Sequence, residues 1–214
     1  PSSPYGKVAT VTSQKKFGTA SGEFKGSGDY LSLADSDDWN FGSGDFTIDF
    51  WFRISDVNTE QVFYAQGDLS SSTRFYIRIQ NEEVSVKIDN TTIIADYTTN
   101  ASGISANIWT HLAVVRNGSI FTTYVNGISK GTETNSGSCP NASNYFYVGA
   151  SYSTASGGDS KFVNGSIDEL RISKGIARWA SNFTPPSAPY ETDTTSPTVS
   201  STSPASSATG VGIN

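Results

Sequence analysis

Two groups of residues stand out for the chemistry their side chains can do. Asp68 and Arg74 bracket a run of Leu, Ser and Thr, while Tyr152 and Asp159 bracket a second run rich in Ser and Gly. Tyr76, Arg78 and Lys87 lie on alternating segments that follow the first loop. A sugar is held by an aromatic plate against the apolar side of its ring and by a few planar polar groups on its hydroxyls. Asp68, Arg74, Tyr152 and Asp159 form one such set at a loop end. Tyr76, Arg78 and Lys87 form another on a strand face, and their charge suits an acidic glycan. The plainer reading is that Ser/Gly loops only connect, and that Tyr, Arg and Lys clothe a wet sheet face. Trp39, Trp51, Trp109 and Trp179 are expected to pack and not to plate a sugar.

Cleaving a glycosidic bond takes two carboxyl groups about 5 to 10 Å apart. The strongest strand-like run, Phe46 to Arg53, offers one acid, Asp49, beside Thr47 and Trp51. A lone strand carboxylate reads as a solvated group. Glu82 and Glu83 are adjacent at a turn and point apart. His111 is the single His; Leu112, Ala113 and Val114 after it mark a packed position. No catalytic residue is expected, and the chain is read as a non-enzyme.

A metal site is the remaining chemistry. Calcium takes six to eight oxygen ligands, and Asp168 is the acid best placed to give one. Ile167 is followed by Leu170 and Ile172, so the apolar phase slips at Asp168-Glu169, the mark of a bulge that re-aims a carboxylate. The rival cluster Asp35-Ser36-Asp37-Asp38-Trp39-Asn40 has Trp39 where a ligand is needed and reads as a polar turn. Cys139 is the single Cys, which excludes an intrachain disulfide and a Cys/His zinc site.

The elements that position these groups are strands. The chain has a formal charge of −6 and 214 residues, a length enough for one sizeable β domain or two small ones. The acidic balance excludes a partner held through phosphates, so no nucleic acid is expected. No apolar run approaches the roughly 20 residues that span a bilayer, so no membrane insertion is expected either. Pro1 and the lack of Met lead us to expect a piece of a longer precursor.

Runs rich in Val, Ile, Phe, Tyr and Thr recur from residue 8 to residue 173, separated by Gly, Asn, Asp and Ser. In the first, Phe46, Ile48, Phe50 and Phe52 face a core and Thr47, Asp49, Trp51 and Arg53 face away. Residues 74–80, 83–89 and 91–95 read as a meander with turns at Asn81-Glu82 and Asp89-Asn90. Residues 109–116, 119–125 and 128 onward read as a second, turned at Asn117-Gly118 and Asn126-Gly127. Apolar on both faces, residues 111–115 are expected to form an interior strand. One short helix is expected near residues 176–183, ended by Pro185-Pro186. Residues 191–214 lack aromatics and cannot build a core, which puts the domain boundary near Tyr190.

GSGDFTIDFWFR, then WTHLAVVRNGS with YVNG, then NGSIDELRISKGIARW, in this order and spacing, resemble the laminin-G-like branch of the concanavalin A-like lectin/glucanase superfamily. The resemblance spans about residues 5 to 190 and implies an all-β jelly-roll sandwich of two antiparallel sheets. It implies an accessory module of large secreted or cell-surface proteins, binding a glycan or another surface ligand beside neighbouring domains of the same chain. Residues 191–214 resemble the start of a bacterial immunoglobulin-like repeat. The resemblance also implies that Asp168 shares a structural Ca2+ with oxygens near the N-terminus, here Asp29 and the carbonyls of the turn that Gly26 opens; the alternative is that Asp168 and Asp29 cap turns through hydrogen bonds from backbone amides. Glucanases of the superfamily carry Glu-x-Asp-x-Glu or Glu-x-Asp-x-x-Glu on one strand, and no such string exists here. The expectation is a non-catalytic, calcium-stabilised carbohydrate-binding module, with a protein-interaction or spacer module of an adhesin as the alternative and a hydrolase last.

Overall fold

Alternation of large apolar and smaller polar residues gives strands with two distinct faces, and the order of those strands decides which faces meet. The structure is a computed structural model that describes residues 8–90, 92–99, 103–143, 145–153 and 158–190. Among the described residues fifteen strands follow in order: β1 (Ala9–Val11), β2 (Ser21–Lys25), β3 (Leu31–Leu33), β4 (Phe46–Ile54), β5 (Gln61–Gly67), β6 (Thr73–Gln80), β7 (Glu83–Asn90), β8 (Thr92–Thr99), β9 (Thr110–Asn117), β10 (Ile120–Val125), β11 (Ile128–Thr134), β12 (Phe146–Val148), β13 (Ser151–Ser153), β14 (Gly158–Ser160) and β15 (Asn164–Lys174).

Seven strands form one sheet in the order β1-β2-β15-β4-β9-β10-β11, and six form the other in the order β3-β12-β5-β6-β7-β8. β13 and β14 make a separate hairpin. All pairings within the two sheets are antiparallel, so the expected jelly-roll sandwich is what the chain builds.

The two sheets meet through aromatic side chains. Phe50 of the first stacks on Phe63 of the second with ring centroids 5.4 Å apart, and Phe46 meets Phe75 at 5.7 Å. Ile77, Ile79, Val84, Val86 and Ile88 close the core from the second sheet. Each fully buried side chain of this size contributes about 1.5–3 kcal/mol of transfer free energy. β9 lies inside its sheet, between β4 and β10, as its two apolar faces required.

Local structure departs from expectation at four places. Residues 176–183 form no helix; the short 3-10 turn Asp37–Trp39 is the helical segment among the described residues. Residues 176–190 instead lie as a strap over the outer side of the seven-stranded sheet. Their backbone groups bond to that sheet and not to one another: Thr47 Oγ1 donates to Ile176 O at 2.9 Å, Arg178 N donates to Thr47 Oγ1 at 3.0 Å, and Phe183 N donates to Gly127 O at 2.9 Å. Tertiary hydrogen bonds here outweigh a weak local preference.

The strap also corrects the reading of β4. Thr47, Asp49 and Trp51 do not face water; all three are buried, Asp49 at 0 % exposure. Trp179 and Phe183 of the strap stack at 3.8 Å and pack on Ala113, Val115 and Tyr124.

Two turns also differ. Gly118 alone has a positive φ of 60° in the β9–β10 hairpin, and Asn117 pairs with Ile120, so the turn is Gly118-Ser119. β7 runs on through Asn90, so Asp89-Asn90 is strand and not turn. Asn81-Glu82 and Asn126-Gly127 both hold two successive positive φ angles, as read. The boundary and repeat expected beyond Tyr190 fall outside the described residues.

Candidate functional site

The outer face of the six-stranded sheet gathers most of the residues singled out for sugar chemistry. β6 and β7 are joined at Asn81-Glu82, which fixes their register and sets Arg74 opposite Asp89, Tyr76 opposite Lys87 and Arg78 opposite Ser85. Because Phe75, Ile77 and Ile79 turn inward, Arg74, Tyr76 and Arg78 form a row on the outer side. Both guanidinia lie near the Tyr76 ring, at 6.0 Å for Arg74 and 5.7 Å for Arg78.

Both guanidinia have an acid beside them. Arg74 Nε donates to Asp89 Oδ2 at 2.8 Å. Arg78 Nη1 donates to Glu60 Oε1 at 2.5 Å, and Lys161 Nζ lies 3.0 Å from Glu60 Oε2. Burial pushes the Glu60 carboxyl up, but hydrogen bonds from Lys161 and Arg78 outweigh that and hold it below its ordinary value.

One end of the row runs into the predicted loop set. Gly67 begins the loop with φ +83°, and a Cβ there would stand 2.5 Å from Thr73 O, so only glycine turns the chain this tightly. Asp68 Oδ1 accepts from Ser70 N at 2.8 Å and from Ser70 Oγ at 2.5 Å. Asp68 bridges to Tyr152, whose carbonyl accepts from Leu69 N at 2.9 Å. Arg74 Nη1 donates to Leu69 O. Asp68, Arg74 and Tyr152 thus converge through Leu69, and Asp159 joins them by pairing with Tyr152 in the β13–β14 hairpin.

Aromatic surface continues from there. Tyr152 stacks on Tyr147 with centroids 6.4 Å apart and planes 8° apart, and Tyr145, half exposed at 51 %, meets Tyr147 edge-on. Tyr30 packs on Tyr147 with centroids 5.4 Å apart, and Phe162 stacks on Tyr30 at 6.4 Å. Glu60, Asp89, Lys161, Tyr145 and Tyr147 were missed from sequence. Asp89 was findable, since a turn at 81–82 pairs 74 with 89; Glu60 and Lys161 come from loops distant in the chain and left no signal.

The proposed calcium donors do not meet. β15 pairs Asn164 with Lys25 and Ile167 with Gly22, while Gly26 N donates to Val163 O at 2.9 Å. Asp168 and Gly26 therefore lie at opposite ends of β2, roughly 16 Å apart along the strand. The expected bulge is present: register shifts between Asp168 and Arg171, with Glu169 at φ 53°. It turns the Asp168 carboxylate onto backbone amides, with Oδ2 accepting from Lys16 N at 2.8 Å and Phe17 N at 3.1 Å, and Oδ1 from Glu169 N at 3.0 Å. Asp29 Oδ2 accepts from Lys25 N at 3.0 Å. These residues as placed do not fit one shared ion. Among the described residues no cluster of three or more His, Cys, Asp or Glu is arranged for a metal. In the rival cluster Asp37 and Asp38 lie inside the 3-10 turn and Ser36 caps it, its Oγ accepting from Asp38 N at 3.2 Å.

Asp49 and His111 do meet, beneath the strap. Asp49 accepts from Arg171 Nε at 3.0 Å and Nη2 at 2.9 Å, and from the Tyr190 hydroxyl; His111 Nε2 lies 3.5 Å away. Burial would raise the Asp49 carboxyl, but hydrogen bonds from His111, Arg171 and Tyr190 hold it below the ordinary 3.8. A buried carboxylate gripped in this way anchors the strap to β4.

Comparison with known proteins gives a family and a fold. The family profile Laminin_G_3, described as the concanavalin A-like lectin/glucanases superfamily, matches residues 25–180. No curated protein resembles the chain in sequence. Among solved structures the chain is similar to domain 4 of AbnA, a GH43 extracellular arabinanase from Geobacillus stearothermophilus, in complex with arabinotriose. That likeness has a TM-score of 0.61 at 19% identity, covering 80% of this chain and 77% of that one. It is also similar to the CBM40 of an IT-sialidase from Ruminococcus gnavus bound to alpha2,3 sialyllactose, with TM-score 0.55, 12% identity and coverage of 71% and 91%. Domains LG4-5 of the mouse laminin alpha1 chain align with TM-score 0.55 and 19% identity, over 79% of this chain and 46% of that one.

Proposed function

The chain belongs to the concanavalin A-like lectin/glucanases superfamily, and on that premise we propose that it is a non-catalytic carbohydrate-binding module. The observation that carries this reading is the outer face of the six-stranded sheet, where Tyr76 lies beside the Arg74 and Arg78 guanidinia, each already held by an ion pair to an acid, with the rings of Tyr152 and exposed Tyr145 flanking the buried Tyr147. Rigid rings supply the plate, and pre-oriented polar groups lower the ordering cost of binding. The solved complexes with arabinotriose and sialyllactose lend support by fold.

The site for this activity is Arg74, Tyr76 and Tyr152, with Asp68 and Asp159 shaping the loop end. A secreted or cell-surface location goes with the reading, in keeping with the extracellular arabinanase. No helix of the described residues is long and apolar enough to cross a membrane. Calcium carries no part of the reading.

A glycan array followed by calorimetric titration tests it. Binding of at least one oligosaccharide, weakened about tenfold or more in Tyr152→Ala and Arg74→Ala, is the expected result, since loss of one good contact is worth about 1.4 kcal/mol or more. Absence of binding across the array overturns it. A surface protein captured without competition from any sugar would instead favour an interaction or spacer module.

A further inference from the structure

The charge pairing on the outer face points beyond the general reading to a class of ligand. We infer that this face takes a neutral glycan, held through hydroxyls, and not a sialylated, uronic or sulfated one; the inference rests on the carbohydrate-binding reading.

Cations on a sheet face ordinarily suggest an anionic ligand. Here Arg74, Arg78 and Lys161 are already engaged. Arg74 is bound to Asp89, and Arg78 and Lys161 share Glu60, at 2.5 to 3.0 Å. The acids are the more buried partners, with side chains 8 % exposed for Asp89 and 17 % for Glu60. An incoming carboxylate that drew Arg74 or Arg78 to itself would leave one of these acids without its counter-charge in a poorly solvated place, which is strongly unfavourable. It would also meet two like charges at close range.

The formal charge of −6 acts in the same direction by disfavouring the approach of polyanions.

The test titrates the purified chain with arabinotriose, xylotetraose and cellotetraose as neutral probes and with 3′-sialyllactose and trigalacturonate as acidic ones. The expected result is at least one neutral probe bound about tenfold or more tightly than both acidic probes, with affinity changing less than about twofold between roughly 50 and 500 mM NaCl, because no net charge is neutralised. Preference for an acidic probe, falling steeply with salt, overturns the inference and leaves the carbohydrate reading intact. No binding to any probe or to a wide glycan array overturns both. Glu60→Gln, which frees Arg78 and Lys161, is expected to raise affinity for 3′-sialyllactose about tenfold, as the pairing argument requires. Asp89→Asn does the same for Arg74, so a folding defect in one variant leaves the other to decide. Unchanged sialyllactose binding in both folded variants overturns the inference.

Discussion

The Tyr190 hydroxyl donates to the buried carboxylate of Asp49 on β4, joining residues 141 positions apart. Arg171 lies over the Tyr190 ring at 3.7 Å and grips the same carboxylate through two nitrogens. Burial, then the Asp49 charge, push the Tyr190 phenol far above its ordinary value, so it stays a donor at any ordinary pH. Tyr190→Phe removes one donor from a buried acid and is expected to cost about 1.5–3 kcal/mol, the range for a hydrogen bond to a charged group. Urea unfolding checks this; a loss within error would mean that the strap is held by Trp179, Phe183 and its backbone bonds without help from the Tyr190 hydroxyl.

Acid sensitivity follows from the same carboxylate. Asp49 and Glu60 both titrate below their ordinary values of 3.8 and 4.5. The folded state therefore binds fewer protons than the unfolded chain through this range, and stability falls as pH drops. The contribution is complete above the ordinary values and is lost as pH falls through 4.5 and 3.8 toward the lower folded values. Melting temperature measured from pH 7 to pH 3 is expected to decline chiefly below about pH 5, and less steeply in Glu60→Gln.

Cys139 is 2 % exposed, and its amide donates to Gly42 O at 2.8 Å. Burial pushes its thiol up, against the opposing pull of Arg116. A buried, protonated thiol is a poor nucleophile. Ellman's reagent is expected to leave the native protein unlabelled over hours and to label Cys139 at once in denaturant. Rapid reaction of the folded chain would show that the 135–143 loop opens.

Arg116 closes that loop from beneath. At 1 % exposure it donates to Gly118 O at 2.9 Å, Gly42 O at 3.0 Å and Gly137 O at 2.9 Å. Lysine has no planar fork to reach three carbonyls. Arg116→Lys is expected to cost about 3 kcal/mol or more, since a buried charge loses its acceptors, and to make Cys139 reactive; equilibrium unfolding and thiol labelling read the two effects separately.

Asp168 accepts three backbone amides, each charge-assisted bond being worth about 1.5–3 kcal/mol. Asp168→Ala is expected to lower the melting temperature by the same amount in calcium and in EDTA, and wild-type protein to melt alike in both. A calcium-dependent difference that Asp168→Ala abolishes would make this carboxylate a metal ligand.

Much of the fold was written in short-range pattern. Alternation in residues 46–53 and 74–88 marked the core faces because a strand's side chains alternate whatever surrounds them. Asn81-Glu82 and Asn126-Gly127 marked hairpins because positive φ is a local property. The phase slip at Asp168 marked a bulge for the same reason. What neighbours do to a side chain was not local. Asp49 read as solvated until the strap covered it, and residues 176–183 read as helix until β4 and the Asn126-Gly127 turn took their hydrogen bonds. The fate of the calcium donors depended on β15 register. Arg78 looked like a free cation until Glu60 arrived from another loop. Sequence by itself determined the strands, their core faces and most of their turns, since periodicity and turn chemistry act over a few residues, while the two-sheet sandwich came from the family resemblance. Only the tertiary structure decided which charges are already spent and which carboxylates are sealed, because pairing and burial are set by segments that meet across the chain.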